Sequence, residues 1–153
     1  IEISESDAAK LVEIMIAHHV AAVTIGNLLK SRQSNAFVPS EIAKMQGLKG
    51  NFSGKPCWDA SNELLARGYN SYGDRFVFSG VGGVFSAEDA YLKIRLGATF
   101  VQIATGVIFE GPMLIGQINR KLVKMLDKDG YNHISEAVGV DNAKFLKEGA
   151  GAV

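Results

Sequence analysis

Phe78-Ser79-Gly80-Val81-Gly82-Gly83-Val84 decides how the chain is read: an apolar strand runs straight into a glycine cluster. A helix-like segment, Ser86–Leu96, and a second apolar strand, Ala98–Ala104, follow at once. Glycines let a backbone come close to a ligand, and a helix N-terminus offers unpaired N–H groups to an anion, so strand, glycine turn and helix in this order suit a phosphate. Ser86 with Asp89 three residues on is a capping-box pattern for the helix Ala87–Leu96, and Gly97 stops it. Thr105-Gly106 closes the second strand with another small, hydroxyl-bearing turn, which places a second candidate anion contact beside the first.

Outward from this centre the same alternation repeats. Upstream, Ser4 or Ser6 can cap a helix whose apolar positions Ala8, Leu11, Val12, Met15 and Ile16 recur at helical spacing through about His18. Val20–Ile25 is β-branched and nearly all apolar, the pattern of a strand covered on both faces, and it ends at Gly26-Asn27. From Leu28 to Lys55 the chain is polar, with Pro39 inside, and reads as a long functional or mobile connection with no core element. Pro56 suits the first turn of a helix over Cys57–Arg67, and Phe76–Ser79 is the strand before the glycines. Downstream, Gly111-Pro112 opens a helix with apolar positions Leu114, Ile115, Ile118, Leu122, Val123 and Leu126, and Gly130 stops it. His133–Val138 and Asp141–Lys147 are short helical pieces. The order αβ, loop, αβ, αβ, α carries no hairpin signal, which predicts parallel strands and crossover helices.

Three strands cannot close a barrel. The alternation and the paired glycine-rich strand ends fit the last part of an eight-fold βα barrel, where a phosphate site is commonly built by the loops after the final two strands. An open flavodoxin-like sheet is the competing architecture.

Composition narrows the classes further. In 153 residues, 47% hydrophobic and 21% charged, there is room for one globular domain with a sizeable core. Sixteen basic residues balance sixteen acidic ones, so no global field favours nucleic acid or an anionic surface. The single cysteine, Cys57, has no disulfide partner and no metal-like spacing around it, and reads as inert in a reducing compartment. No apolar run reaches the roughly 20 residues that span a bilayer. The opening Ile1-Glu2-Ile3-Ser4 has no initiating Met and no leader pattern, and is expected to start inside a longer protein.

The residues then resemble a known family. Gly80-Val81-Gly82-Gly83, Ser86-Ala87-Glu88-Asp89-Ala90, Lys93-Ile94-Arg95-Leu96-Gly97-Ala98, Val101-Gln102-Ile103-Ala104-Thr105 and Gly111-Pro112 look like the C-terminal signature of dihydroorotate dehydrogenase. Gly47–Pro56, with Ser53-Gly54-Lys55-Pro56, is similar to the loop and helix start before that signature. Ile134–Gly139 followed by Asp141 resembles the ending of the class 2, quinone-dependent members. Five ordered matches at consistent spacing carry far more weight than one GxGG.

That resemblance implies the C-terminal part of a TIM barrel that holds FMN and oxidises dihydroorotate to orotate in pyrimidine synthesis, with a quinone as acceptor. Carried over position by position, it implies that Gly82 and Gly83 present N–H groups to the FMN phosphate and that Ala104 and Thr105 close it from the next strand. Ser53 and Gly54 would lie along the flavin, and Asn27 would contact dihydroorotate or orotate. It implies no metal and no catalytic residue in this stretch, since the family's serine base lies upstream of the matched region. It also implies peripheral attachment to the bacterial cytoplasmic membrane or the mitochondrial inner membrane through an N-terminal region outside the sequence, the stretch itself being soluble. Two departures stand out: Gly26-Asn27-Leu28 replaces a Thr-Asn-Thr run, and Ala104 stands where an aromatic residue is common. The alternatives are another FMN-barrel reductase, or a non-catalytic half-barrel whose open edges pair with the missing half or a second copy.

Each residue also has a plainer reading. Gly82-Gly83 can be a tight turn, Thr105 a helix cap, Ser53-Gly54 an ordinary turn and Asn27 a left-handed one. His18-His19 complements a helix C-terminus, and His133 is isolated. Trp58 reads as a packing residue. Lys93, Arg95, Arg120, Lys121 and Lys124 read as cations solvating helix faces.

Overall fold

The structure, a computed structural model, describes residues 5–149 apart from 27, 33, 35, 46 and 48. Its centre is a three-stranded parallel sheet in sequential order, β1 (Ala22–Ile25), β2 (Val77–Val81) and β3 (Phe100–Gln102). Thr24 lies opposite Ser79, and Ser79 opposite Phe100. All three strands point the same way because each crossover is a helix: α3 (Trp58–Tyr72) returns the chain to β2, and α4 (Ala87–Arg95) returns it to β3. The predicted parallel sheet and the helix–strand alternation are both present.

One face of the sheet is packed. Phe78, Leu65, Ala66, Phe76, Leu96 and Ala98 form the central cluster, with Val12 and Met15 of α1 (Glu5–Ala17) against it. Gly80 belongs to the same face, where an added Cβ would lie 3.2 Å from Leu65, Lys93 and Ala98. The alternate residues Val77 and Phe100 are 40% and 64% exposed, so the opposite face is open at these positions, while Ser79 between them is buried. Val20–Ile25, read as covered on both faces, is corrected accordingly: β1 is the sheet's edge, four residues long, and alternates exposed with half-buried.

A second cluster, Val84, Ala87, Ala90, Leu114 and Ile118, joins α4 to α6 (Met113–Asp129). A third, Tyr91, Ile94 and Ala137, joins them to the C-terminal turns. Arg95 ties the three layers together. Its guanidinium donates in a fork to Asp141 at 2.6 and 3.1 Å and to Asp129 at 2.6 Å, and Tyr91 donates to the same Asp129 at 2.8 Å. Arg95 therefore does not solvate a helix face as the sequence suggested, whereas Arg120 and Lys124 are exposed and Lys121 pairs with Glu88 at the surface. Hydrogen bonding to Arg95 holds the Asp141 carboxyl below the usual carboxylate range.

Other differences have local causes. Ser6 lies inside α1 rather than capping it, while Ser4 falls outside the described residues. Pro56 sits in a 3-10 turn, Lys55–Cys57, that feeds α3, and α3 runs five residues past Arg67 because Gly68 fits against the Phe78 ring instead of stopping the helix. The connection from Leu28 to Lys55 contains a short helix, α2 (Pro39–Met45), with no buried residue, and an antiparallel bridge between Leu29 and Phe52 with both bonds at 2.8 Å. Phe52 pins this loop further, edge-on to Phe37 at 4.7 Å and beneath the Arg32 guanidinium at 4.8 Å. Thr105-Gly106 is not only a turn but the start of a one-and-a-half-turn helix, α5 (Thr105–Glu110). The terminal piece is α7 (Asn142–Gly149), anchored where the buried Asn142 amide donates to the carbonyls of Ala66 and Leu96 at 2.9 and 2.7 Å.

Tyr69 is wedged between two turns. An added Cβ at Gly97, where φ is +125°, would lie 2.1 Å from its ring, and one at Gly139 would lie 2.4 Å away. Gly97→Ala is expected to cost about 3 kcal/mol through positive φ and overpacking combined, read as a shift of the urea midpoint without a change of slope.

Candidate functional site

The carboxyl ends of the three strands open onto one cleft of about 270 Å³. Gly26 follows β1, Val81 ends β2 and Gly82 and Gly83 follow it, Ile103 to Gly106 follow β3, and Ser53-Gly54 arrive from the long connection. All six residues expected at the cofactor, Ser53, Gly54, Gly82, Gly83, Ala104 and Thr105, line this cleft together. Asn27, the expected substrate contact, lies outside the described residues.

Two hydrogen bonds shape the rim. Thr105 Oγ1 and Ser53 Oγ are 2.9 Å apart, so residues 52 positions apart close one edge of the cleft. Ser86 Oγ accepts from the Asp89 N–H at 3.1 Å, and Asp89 reaches back to the Phe85 N–H at 2.8 Å, a capping box shifted by one residue. Asp89 also takes Lys55 Nζ at 2.9 Å, and that ammonium lies 5.1 Å from the Phe85 ring and 5.3 Å from the Trp58 ring.

Gly82 and Gly83 line the cleft with their backbone and meet α3 on the side where a side chain would stand. Gly82 and Gly83 have φ of +110° and +75°, and their missing side chains face α3 rather than the cleft. A Cβ at Gly82 would lie 2.9 Å from Ser61 Oγ, and one at Gly83 2.9 Å from Trp58 Cβ. Glycine is required so that the turn can lie down on α3, and that packing turns the backbone toward the cleft. Gly54 does face the cleft's residues: a Cβ there would meet Thr105 Cγ2 at 2.9 Å.

Sequence reasoning missed Lys93, which it placed on a solvated helix face. The side chain is fully buried, 0% exposed. Its Nζ donates to Asn62 Oδ1 at 2.7 Å and Ser61 Oγ at 3.0 Å, and lies 5.1 Å from the Trp58 ring centre. Ser61 Oγ in turn stands 3.1 Å from the Trp58 carbonyl and 3.5 Å from the Gly82 carbonyl. Small residues make the room, since Gly80 and Ala98 let the lysine stem pass under β2. The one available signal was Lys93 lying on α4 between Ala90 and Ile94, on the apolar side of the helix. Burial pulls its ammonium down to about 8, against a smaller opposing pull from Asp89 and Cys57.

Cys57 is buried and free, its thiol donates to the Phe52 carbonyl at 3.1 Å, and burial pushes its pKa up, which leaves it a packed side chain without nucleophilic character. Trp58 is half-buried under Gly83, a packing role as expected. His133 caps a turn, accepting from the Ser135 N–H at 3.2 Å. Among the described residues no group of His, Cys, Asp or Glu is placed to hold a metal, and no helix is long and apolar enough to cross a membrane.

Such a cleft can seat an anion between two backbone turns and a pair of hydroxyls. Among the described residues that line it, none carries a carboxylate, imidazole, amine, phenol or thiol.

The folded Lys93 releases its proton at a lower pH than the unfolded chain, so stability is expected to rise with pH between about 8 and 10.5 from this residue. The difference in unfolding free energy between wild type and Lys93→Met, measured across that window, isolates the effect from Cys57 and Tyr91.

Comparison with known proteins places the chain. The family model described as dihydroorotate dehydrogenase matches residues 2–126. The dihydroorotate dehydrogenase (quinone) of Nautilia profundicola is 39% identical over 117 residues, covering 76% of this chain and 33% of that protein. The mitochondrial dihydroorotate dehydrogenase (quinone) of Arabidopsis thaliana is 38% identical over 144 residues, covering 92% of this chain and 30% of that one. The chain thus spans about a third of the length of these curated relatives. A crystal structure of ligand-free DHODH from Eimeria tenella superposes with a TM-score of 0.79 at 20% identity, over 92% of this chain and 37% of that one. The fold is therefore part of a (β/α)8 TIM barrel, and the open flavodoxin-like alternative is set aside.

Proposed function

The chain belongs to the dihydroorotate dehydrogenase family, and from that premise we propose that residues 1–153 are the C-terminal part of a single FMN-binding barrel domain. The whole domain oxidises dihydroorotate to orotate in pyrimidine synthesis and passes the electrons to a quinone. When bound, FMN supplies the redox chemistry by accepting hydride from the substrate. The residues described here bind and orient it.

The observation that carries this reading is the convergence of Gly82, Gly83, Ala104 and Thr105 on the same cleft as Ser53 and Gly54. The fit to a phosphate ester is chemical. Two backbone turns from adjacent strands bring N–H groups to one place, and the Thr105 and Ser53 hydroxyls add rotatable donors at the edge. Gly54, next to Thr105, leaves the space a flat ring system needs. Ala104 substitutes for an aromatic residue without penalty, because only its backbone is asked to contribute. Asn27, two positions beyond β1 in the sequence, is the proposed contact to dihydroorotate. No residue of the cleft is assigned as general base, so proton removal from the substrate is not given to this stretch.

The uncovered edge beyond β3 supports membership of a larger barrel. Phe100 of β3, Ile108 and Phe109 of α5 and Met113 of α6 are 64 to 79% exposed, large apolar side chains left open to solvent. This explains why the isolated stretch is proposed to be inactive. The same edges also support the second reading, assembly with the missing half or with another copy.

Flavin titration followed by fluorescence quenching tests the phosphate assignment. FMN is expected to bind at least about tenfold more tightly than riboflavin, which has the same ring but no phosphate. Thr105→Val is expected to weaken FMN about fivefold and riboflavin hardly at all, as one hydrogen bond to a charged group is lost. Equal affinities for the two flavins in the wild type would overturn the reading.

A further inference from the structure

We infer that Lys93 is a positioning residue for the anion cleft: its ammonium, enclosed behind the Gly82–Gly83 turn and joined to it through the Ser61 hydroxyl, orients that turn and supplies a positive charge behind the phosphate. The inference rests on the flavin-phosphate reading and goes beyond it, since Lys93 lies outside the cleft lining.

The charge balance around Lys93 is the argument. A buried ammonium is costly unless paired, yet among the described residues no carboxylate lies within ion-pair distance of its Nζ, and both its hydrogen-bond acceptors, Ser61 and Asn62, are neutral. Asp89, on the same helix, already holds Lys55 Nζ and the Phe85 N–H. Cys57 is kept protonated by burial. Trp58 offers only the weaker attraction of its ring face, at 5.1 Å. The positive charge, which Asp89 offsets only from beyond contact, is thus left without an ion-pair partner directly behind the turn that faces the cleft, and a dianion in the cleft is the group that would complete it.

The hydrogen-bond directions agree. Lys93 donates to Ser61 Oγ, which commits that oxygen as acceptor and leaves its single proton for a carbonyl, either Trp58 at 3.1 Å or Gly82 at 3.5 Å. Fixing the Gly82 carbonyl toward α3 turns the next N–H, that of Gly83, the opposite way across the same peptide plane. Lys93 therefore acts on the cleft in two ways, by its field and by the peptide it helps to set.

The experiment compares the dissociation constants of FMN and riboflavin for wild type and Lys93→Met by flavin fluorescence. Loss of the charge is expected to weaken FMN about tenfold while riboflavin stays within about twofold, the size expected for one unit charge acting at this range through partly buried surroundings. In the wild type the preference for FMN is also expected to fall between pH 7 and 9. Flavin phosphate is fully ionised above about pH 7, so across that window the phosphate does not titrate but Lys93 does. Lys55→Met and Cys57→Ala, which alter the other titratable groups on the turn before α3, are expected to keep the wild-type slope. Should Lys93→Met fail to fold, the wild-type pH profile with these two variants decides. An unchanged FMN preference in folded Lys93→Met, or a flat wild-type profile, overturns the inference while leaving the phosphate reading intact. A wild type that does not distinguish FMN from riboflavin overturns the phosphate reading instead.

Discussion

The close approach of α3 to the chain between Gly80 and Gly83 is the constraint on which the rest is built. Helix and strand end meet so tightly that side-chain atoms of Leu65, Ser61 and Trp58 lie 3.2, 2.9 and 2.9 Å from where Cβ atoms at Gly80, Gly82 and Gly83 would stand. This fixes the pitch of α3 on the sheet, lets Lys93 pass beneath β2, and rolls the peptides after β2 toward the cleft. A phosphate-sized space between neighbouring strands follows from how the helix is docked, with no side chain dedicated to making it.

Docking at this distance also explains the polar interior. Ser61, Asn62, Lys93 and Asn142 are all buried, and each of their side chains is hydrogen-bonded across elements. Such bonds are directional, so they fix the register of α3, α4 and α7 in a way that the apolar clusters alone do not. The exposed partners of Arg95 do the same at the periphery, where Asp129 and Asp141 hold the last third of the chain to α4.

Much of this was legible in the residues, for physical reasons. Short continuous apolar runs, period-3.6 apolar patterns and the proline and glycine stops located the strands and most of the helices, because they report which residues are buried. Gly82, Gly83 and Thr105 were legible as turns because turn chemistry is local, whereas Ser53, Gly54 and Ala104 were singled out only through the family resemblance. What escaped was non-local. Burial of Lys93 depends on Gly80, Ala98 and Ser61 leaving a tunnel, and no single segment announces that. The positive φ of Gly82 and Gly83 can be read from a glycine pair, while the object on their Cβ side, α3, cannot. Edge exposure of β1 was likewise invisible, because an apolar run looks the same in the middle of a sheet and at its margin.

The cleft is stitched from segments near residues 26, 54, 82 and 105, three strand ends and one loop far apart in the chain. No subset of the chain can build it, so a ligand held there recognises only the fully assembled state. By mass action its entire binding free energy is added to the folding equilibrium, about 2.7 kcal/mol when the free ligand stands at a hundred times its dissociation constant. A nucleotide seated in this cleft would then serve as a keystone for the fold as well as a reagent.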